Sequence, residues 1–319
     1  MFVAFFVGLS CSALISAHEE KSFLAWMREH NRLYTGDEYS FRLGIFLTNA
    51  AYIQEFNKNG KFQLSANHFA AMTPAEYRSL LTKTRRSVKQ QPKTETNYQK
   101  AIPDEIDWRT RGIVNPICDQ MSCGSGWAFA STCAQESQWA LQKEELYALS
   151  PQNVLDCCWK CEGCDNGEAD TATYYVMEEQ EGKWMLDNDY PYIGHARQCK
   201  YEATKGVTFT KKILYTKTAD EKDMKEKCAQ YGVLAAEMDA SLASFAWYSS
   251  GIYEEPECNP WNLCHSVNVV GYGVSSGVDY WLVRNSFGLN WGVKGYMYLR
   301  RNLDGQCGID MIVYAPLVE

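Results

Sequence analysis

The chain has 319 residues, 46% of them hydrophobic and 22% charged, with 13 Cys, 10 Trp and 20 Tyr. That apolar content excludes a disordered chain, which cannot bury enough surface to offset its conformational entropy. A formal net charge of -8 argues against nucleic acid as a partner, because phosphate binding needs clustered Lys and Arg.

Residues 1–17 (MFVAFFVGLSCSALISA) carry no charged side chain and end in small residues before His18. The run is shorter than the roughly 20 residues a bilayer span needs, so the segment reads as a cleaved secretory signal, with an uncleaved anchor as the alternative. The expected location is the secretory pathway, either lysosomal or vacuolar or extracellular, with no membrane association of the remainder. Removing the signal also removes Cys11 and leaves 12 cysteines, an even number that predicts several disulfides. Cys157, Cys158, Cys161 and Cys164 fall within eight residues. A structural zinc site would need a second ligand pair that the rest of the chain does not offer. Disulfides are therefore favoured, and no metal or cofactor is expected.

Charge divides the chain. Residues 18–102 hold 13 Lys and Arg against 8 Asp and Glu, whereas residues 103–319 hold 18 against 31. A basic leading segment on an acidic body is the pattern of a detachable pro-segment. Residues 84–102, polar and nearly free of apolar side chains at their start, read as an exposed linker and activation region. Within the leading segment, residues 23–34 and 38–57 read as amphipathic helices. Glu38, Arg42, Phe46, Asn49, Ile53 and Asn57 recur at steps of three and four, which places them on one helical face.

That set resembles the E-x3-R-x3-F-x2-N-x3-I-x3-N signature of cathepsin L-like propeptides, with all six positions matched. Asn67 and Phe69 match the following G-x-N-x-F-x-D segment, while Ser65 replaces Gly and Ala71 replaces Asp. Without that carboxylate, acid-triggered release of the segment loses a titrating group. From Asp107-Trp108-Arg109 onward the chain resembles the papain family. Gln120 to Phe129 (QMSCGSGWAF) resembles Q-G-x-C-G-S-C-W-A-F, His265 to Gly273 resembles the family's His motif, and Tyr280 to Gly288 resembles its Asn motif.

The resemblance implies an α+β, papain-like fold. A helical domain (about Cys123 to Tyr192) faces a β-rich, barrel-like domain across a cleft, preceded by a helical inhibitory propeptide. The expected boundaries are signal 1–17, inhibitor propeptide 18–83, linker 84–102 and peptidase domain 103–319. Hydrolysis through an acyl-enzyme needs a thiolate, a base, a group orienting that base, and oxyanion donors. The resemblance assigns the base to His265, the orienting group to Asn285 and an oxyanion donor to the Gln120 side chain. The nucleophile position is Gly126, which keeps its backbone N–H and has no thiol. Losing a triad nucleophile costs on the order of 10⁶ in turnover. Cys264 adjoins His265, but neighbouring strand residues point to opposite faces, so its sulfur should not meet that ring.

The resemblance also implies substrate contacts at Asn166, Gly167, Glu168, Ala169 and Trp291, with Asp165-Asn166-Gly167 standing where the family has N-G-G. Phe287 replaces the Trp that usually follows the catalytic Asn. By matched position the disulfides are Cys123–Cys164, Cys157–Cys199 and Cys258–Cys307, with Cys118, Cys133, Cys158, Cys161, Cys228 and Cys264 unassigned. The implied partners are the chain's own propeptide, peptides or proteins in the cleft, and cystatin-like inhibitors, acting on a monomer. Two functions stay open. One is a pseudo-peptidase that binds peptides or a protein partner. The other is an active cysteine endopeptidase whose Gly126 is a sequence error or an engineered change.

Overall fold

The computed structural model describes residues 17–82 and 101–318. The expected signal, apart from Ala17, and nearly all of the expected linker lie outside the described residues. The leading segment comprises α1 (Ala17–Glu29), α2 (Gly36–Asn59), the short strand β1 (Gln63–Leu64) and α3 (Pro74–Arg78). Helix α1 lies several residues earlier than the sequence predicts. Glu19 and Glu20 favour its first turn through the helix dipole. Asn31, at φ +50°, ends it in the left-handed conformation that Asn tolerates, with the Arg32 N–H reaching the Met27 carbonyl at 2.8 Å. The apolar repeat continues to Tyr34 because its ring leaves the helix and stacks on Phe23.

The body begins with β2 (Ile106–Asp107), followed by three helices: α4 (Gly126–Lys143), α5 (Pro151–Cys157) and α6 (Ala169–Glu179). Strands β3 (Lys183–Met185) and β4 (Gly206–Phe209) pair with each other, and β5 (Lys212–Tyr215) leads to α7 (Glu221–Tyr231). Then come β6 (Leu234–Met238), α8 (Ala243–Ala246), β7 (Tyr248–Ser250), β8 (Ile252–Tyr253), β9 (His265–Ser275), β10 (Val278–Arg284), β11 (Tyr296–Arg300) and β12 (Val313–Leu317). The main sheet runs β5-β12-β6-β9-β10-β11-β8, with β2 added on β9.

Two cores result. Trp127, Val154, Val176, Trp184 and Met185 fill the helical half. The β-rich half is filled by Val269, Trp281, Val283, Trp291 and Leu299, and leading-segment residues Phe62, Leu64, Phe69 and Tyr77 join that same cluster. A third cluster (Phe23, Trp26, Met27, Leu43, Phe46, Ala70, Ala71) holds α1 and α2 together. The structure contains Cys123–Cys164, Cys157–Cys199 and Cys258–Cys307, together with Cys158–Cys161, a pair the sequence left open. The four clustered thiols of residues 157–164 are thus all engaged in disulfides rather than offered to a metal.

Candidate active site

Helix α4 begins at Gly126, so the positive end of its dipole points at the nucleophile position. His265 opens β9 and Asn285 directly follows β10. Because these strands pair antiparallel, with Asn268 opposite Arg284, both residues emerge at the same end of the sheet. His265 Nε2 lies 2.8 Å from Asn285 Oδ1, which also accepts the Ser286 N–H at 2.8 Å. An amide oxygen only accepts, so His265 carries its proton on Nε2 and turns a bare Nδ1 toward Gly126. Burial pushes the imidazole down to about 4, with the Asn285 hydrogen bond opposing that shift. The ring is neutral across the physiological range, as expected of a buried base without an anionic neighbour. Phe287 stacks on it, with centroids 4.8 Å apart. A side chain smaller than Trp therefore still covers the His265–Asn285 pair.

Gly126 sits against this ring. A Cβ placed there would lie 2.6 Å from His265 Cε1 and 2.9 Å from Nδ1. The imidazole thus occupies space that the first atom of any side chain at 126 would need.

Gln120 is wholly buried and held on both sides. Its backbone N–H bonds to the Ser286 carbonyl, and its Oε1 accepts the Ser286 hydroxyl at 2.7 Å. Its Nε2 donates to the Leu80 carbonyl at 2.8 Å and to the Cys123 carbonyl at 2.9 Å. A carbonyl of the leading segment therefore takes the donor that the family resemblance assigns to an oxyanion. The Thr82 N–H continues the contact to the Cys264 carbonyl. Earlier in the segment, β1 pairs with β7, Asn67 Nδ2 bonds to the Ala246 carbonyl, and the Tyr77 hydroxyl bonds to the Ala240 carbonyl. The pro-segment lies in the cleft in cis.

Of the expected substrate contacts, Gly167 and Glu168 share a small pocket with His265, Glu237, Leu263 and Ser266, closed by Thr82. Gly167 has no room for a side chain, because a Cβ would run into the Trp127 indole. Asn166 presents its carbonyl to the Glu162 N–H. The other two lie outside that pocket: Ala169 packs with Ala130, Tyr215 and Tyr314, and the Trp291 indole is buried against Phe245, donating to its carbonyl. Glu237 and Ser286 were not anticipated. The only signal for Glu237 was a charged residue inside the apolar run Leu234 to Met238. Ser286 gave none, since its role depends on a hydroxyl rotamer.

The remaining thiols do not approach Gly126. Cys264 Sγ accepts the Ala240 N–H and lies 3.7 Å from Asp239 Oδ1, on the strand face opposite to His265. Burial pushes its thiol up to about 12. Cys133 is likewise pushed up to about 12 and faces a separate cavity.

Residues 102–317 match the papain family cysteine protease profile, and residues 23–77 match the cathepsin propeptide inhibitor domain. The chain is 36% identical to cathepsin K of Mus musculus over 302 residues, covering 91% of each chain. It is 37% identical to cathepsin L of Sarcophaga peregrina over 309 residues, covering 91% of this chain and 90% of that one. Among solved structures it is similar to digestive procathepsin L 3 of the Tenebrio molitor larval midgut. That similarity has a TM-score of 0.86 and 30% identity, and covers 95% of this chain and all of that one. The chain belongs to the papain family of cysteine peptidases and carries a cathepsin-type inhibitor propeptide in cis.

Proposed function

We propose that this chain is a papain-family pseudo-peptidase, a peptide- or protein-binding member of the secretory pathway that has lost its nucleophile. The observation that carries this reading is the space at Gly126. There is no thiol, and the neutral His265 ring stands within 2.6 Å of where a Cβ would begin. Burial without an ion-pair partner favours that neutral state. The four disulfides fit an oxidising compartment, and among the described residues no helix is long and apolar enough to cross a membrane. Once the pro-segment leaves, the cleft offers a pocket with Glu168 and Glu237 on its wall. Peptides bearing a Lys or Arg side chain are the ligands to try first, and cystatin-like inhibitors are the protein class that would compete for the same rims.

The test uses matured protein, freed of its pro-segment by an added peptidase that is then removed. It should neither hydrolyse fluorogenic peptides nor react with a thiol-directed epoxide at the cleft, whereas Gly126→Cys should react once His265 swings back. Turnover or cleft labelling by the unmodified protein would overturn the reading. A second reading, an active endopeptidase whose recorded Gly126 stands in place of Cys, is favoured by the intact His265–Asn285 and Gln120–Ser286 bonds. Reading codon 126 in genomic DNA beside the intact mass of the native protein separates the two.

A further inference from the structure

Behind the cleft, on the far side of Gln120, a cavity of about 360 Å³ is lined by Cys118, Cys133, Glu136, Asp187 and Arg284. Cys118 belongs to the loop leading into Gln120, and Cys133 lies on α4, seven residues after Gly126. Both are free thiols. Cys118 Sγ is 3.7 Å from an Arg284 Nη, and the same buried guanidinium reaches the Cys133 thiol. The other two described free cysteines have no such neighbour: Cys228 lies in the β-rich core with Trp108 and Met224, and Cys264 lies against Asp239. Arg284 itself is incompletely used. Its Nη donates to the Pro116 carbonyl at 2.6 Å, but its buried Nε has no partner, and neither does Asp187 Oδ1 in the same cavity. The wall is thus polar, imperfectly satisfied, and bears two thiols facing one cation.

We propose that Cys118 and Cys133 are joined in a fifth disulfide in the mature protein, clamping the loop that carries Gln120 onto α4. The bond forms by two exchanges with a disulfide of the glutathione or protein-disulfide class. The Cys118 thiolate attacks that disulfide and expels one thiolate, giving a mixed disulfide. The Cys133 thiolate then attacks Cys118 Sγ and expels the second. Two thiols lose two protons and two electrons, and the external disulfide is reduced to two thiols. Arg284 favours the attacking thiolates, and the half-buried Cys118 is the more accessible of the two for the first step. Burial opposes ionisation at both sulfurs, so the bridge forms during oxidative folding, before the cavity closes. The bridge fixes a segment already tied to the Asn285 strand end through the Gln120–Ser286 and Gly288–Cys118 backbone bonds. It therefore braces the oxyanion side of the cleft whether or not the site turns over.

The experiment is a non-reducing peptide map of the full proprotein, secreted from eukaryotic cells and denatured in a maleimide without reductant. Chymotryptic cleavage after Trp127 and Phe129 separates the two cysteines, which trypsin leaves on one peptide between Arg111 and Lys143. The expected result is a linked set in which the peptide carrying Cys133 joins the one carrying Cys118 and Cys123, itself bridged to Cys164, with fragmentation placing the new bond on Cys118 and maleimide on Cys228 and Cys264. Cys118→Ser should expose Cys133 to maleimide, and Cys133→Ser should expose Cys118. Maleimide on both cysteines of the unmodified protein, or linkage of either to another cysteine, overturns the proposal. That map needs no variant, so a misfolded variant leaves it decisive.

Discussion

At position 126 the chain keeps a backbone N–H and loses everything beyond it, and the neighbouring imidazole has closed over the gap. Gly126→Ala tests that closure. At the start of a helix Ala gains up to about 1 kcal/mol of propensity over Gly. The methyl would nevertheless overlap a ring held by Asn285 and Phe287, and such overpacking costs about 1–3 kcal/mol. A net loss of stability in urea unfolding, with a changed His265 imidazole resonance, is expected. Equal stability with an unchanged resonance would mean the ring retreats freely. A second residue-scale expectation concerns Met121, where the family pattern has Gly. It adopts φ +56°, and its side chain is largely exposed. Met121→Gly should raise stability by up to about 1 kcal/mol by removing left-handed strain. Gln120, His265 and Asn285 were legible because their motifs surround them. Ser286 and the Phe287 stack were not, because a hydroxyl rotamer and a ring tilt leave no periodic trace.

Helix α2 shows how much of an element a pattern carries. Phe46, Asn49 and Ile53 are buried along the predicted face, and each polar member of the signature has a task. Arg42 forks onto Glu76 with two bonds of 2.7 Å, and Asn57 exchanges two bonds with Leu64. Asn49 donates to the carbonyls of Ala70 and Met72. Asn49→Leu should strip both carbonyls of that partner and destabilise the pro-segment by about 1–3 kcal/mol, read as earlier thermal release from the body. The sequence pointed away from acid sensitivity because Ala71 carries no carboxylate. The structure supplies two other titrating groups instead. His30 and His68 pack 6.5 Å apart, with Nδ1 of His68 buried without a partner. Burial lowers both, His68 to about 4, with Arg32 adding to the effect and Glu29 opposing it at His30. A histidine depressed when folded takes its proton first in the unfolded segment. Stability is therefore full above about pH 6.5 and falls as pH drops toward about 4. Limited proteolysis of the pro-segment should accelerate over that window, and His68→Phe should flatten the profile. An unchanged profile in that variant would assign the response elsewhere. Histidines contributed by the turn after α1 and by a loop become a pair only after folding, which is why the sequence did not reveal them.

At the scale of the whole molecule, the leading segment docks along the cleft without a charge surplus of its own, because residues 18–82 hold seven Lys and Arg against seven Asp and Glu and the excess of Lys and Arg lies in residues 83–102. Ser65 and Asn67 hold the α8 region, Tyr77 holds Ala240, Leu80 caps Gln120, and Lys61 pairs with Glu254. Most of these contacts are hydrogen bonds to backbone carbonyls, which salt screens little, whereas the Lys and Arg that follow Thr82 would act on the acidic body at longer range. If the cut leaves the Lys and Arg of residues 83–93 on the freed segment, raising ionic strength should slow its rebinding several-fold while changing its dissociation rate much less, whereas a segment ending at Thr82 should show little salt effect on either rate. Surface plasmon resonance would read both rates. The two halves and the cleft were legible through the motifs around Gln120, His265 and Asn285 and the family they resemble, not through the apolar periods of single elements. The direction in which residues 79–82 cross the cleft was not, because it depends on which carbonyl finds Gln120.

The carbonyl of Leu80 on Gln120 has a consequence for timing. A tethered segment faces its groove at an effective concentration on the order of mM. Cutting the chain between residues 82 and 101 leaves in place the contacts that residues 17–82 make, but it hands the segment to ordinary dilution. On the pseudo-peptidase reading proposed above, that cut has to be made by another molecule. The moment at which the cleft becomes available is then set by the abundance of an outside peptidase and by the volume into which the released piece escapes.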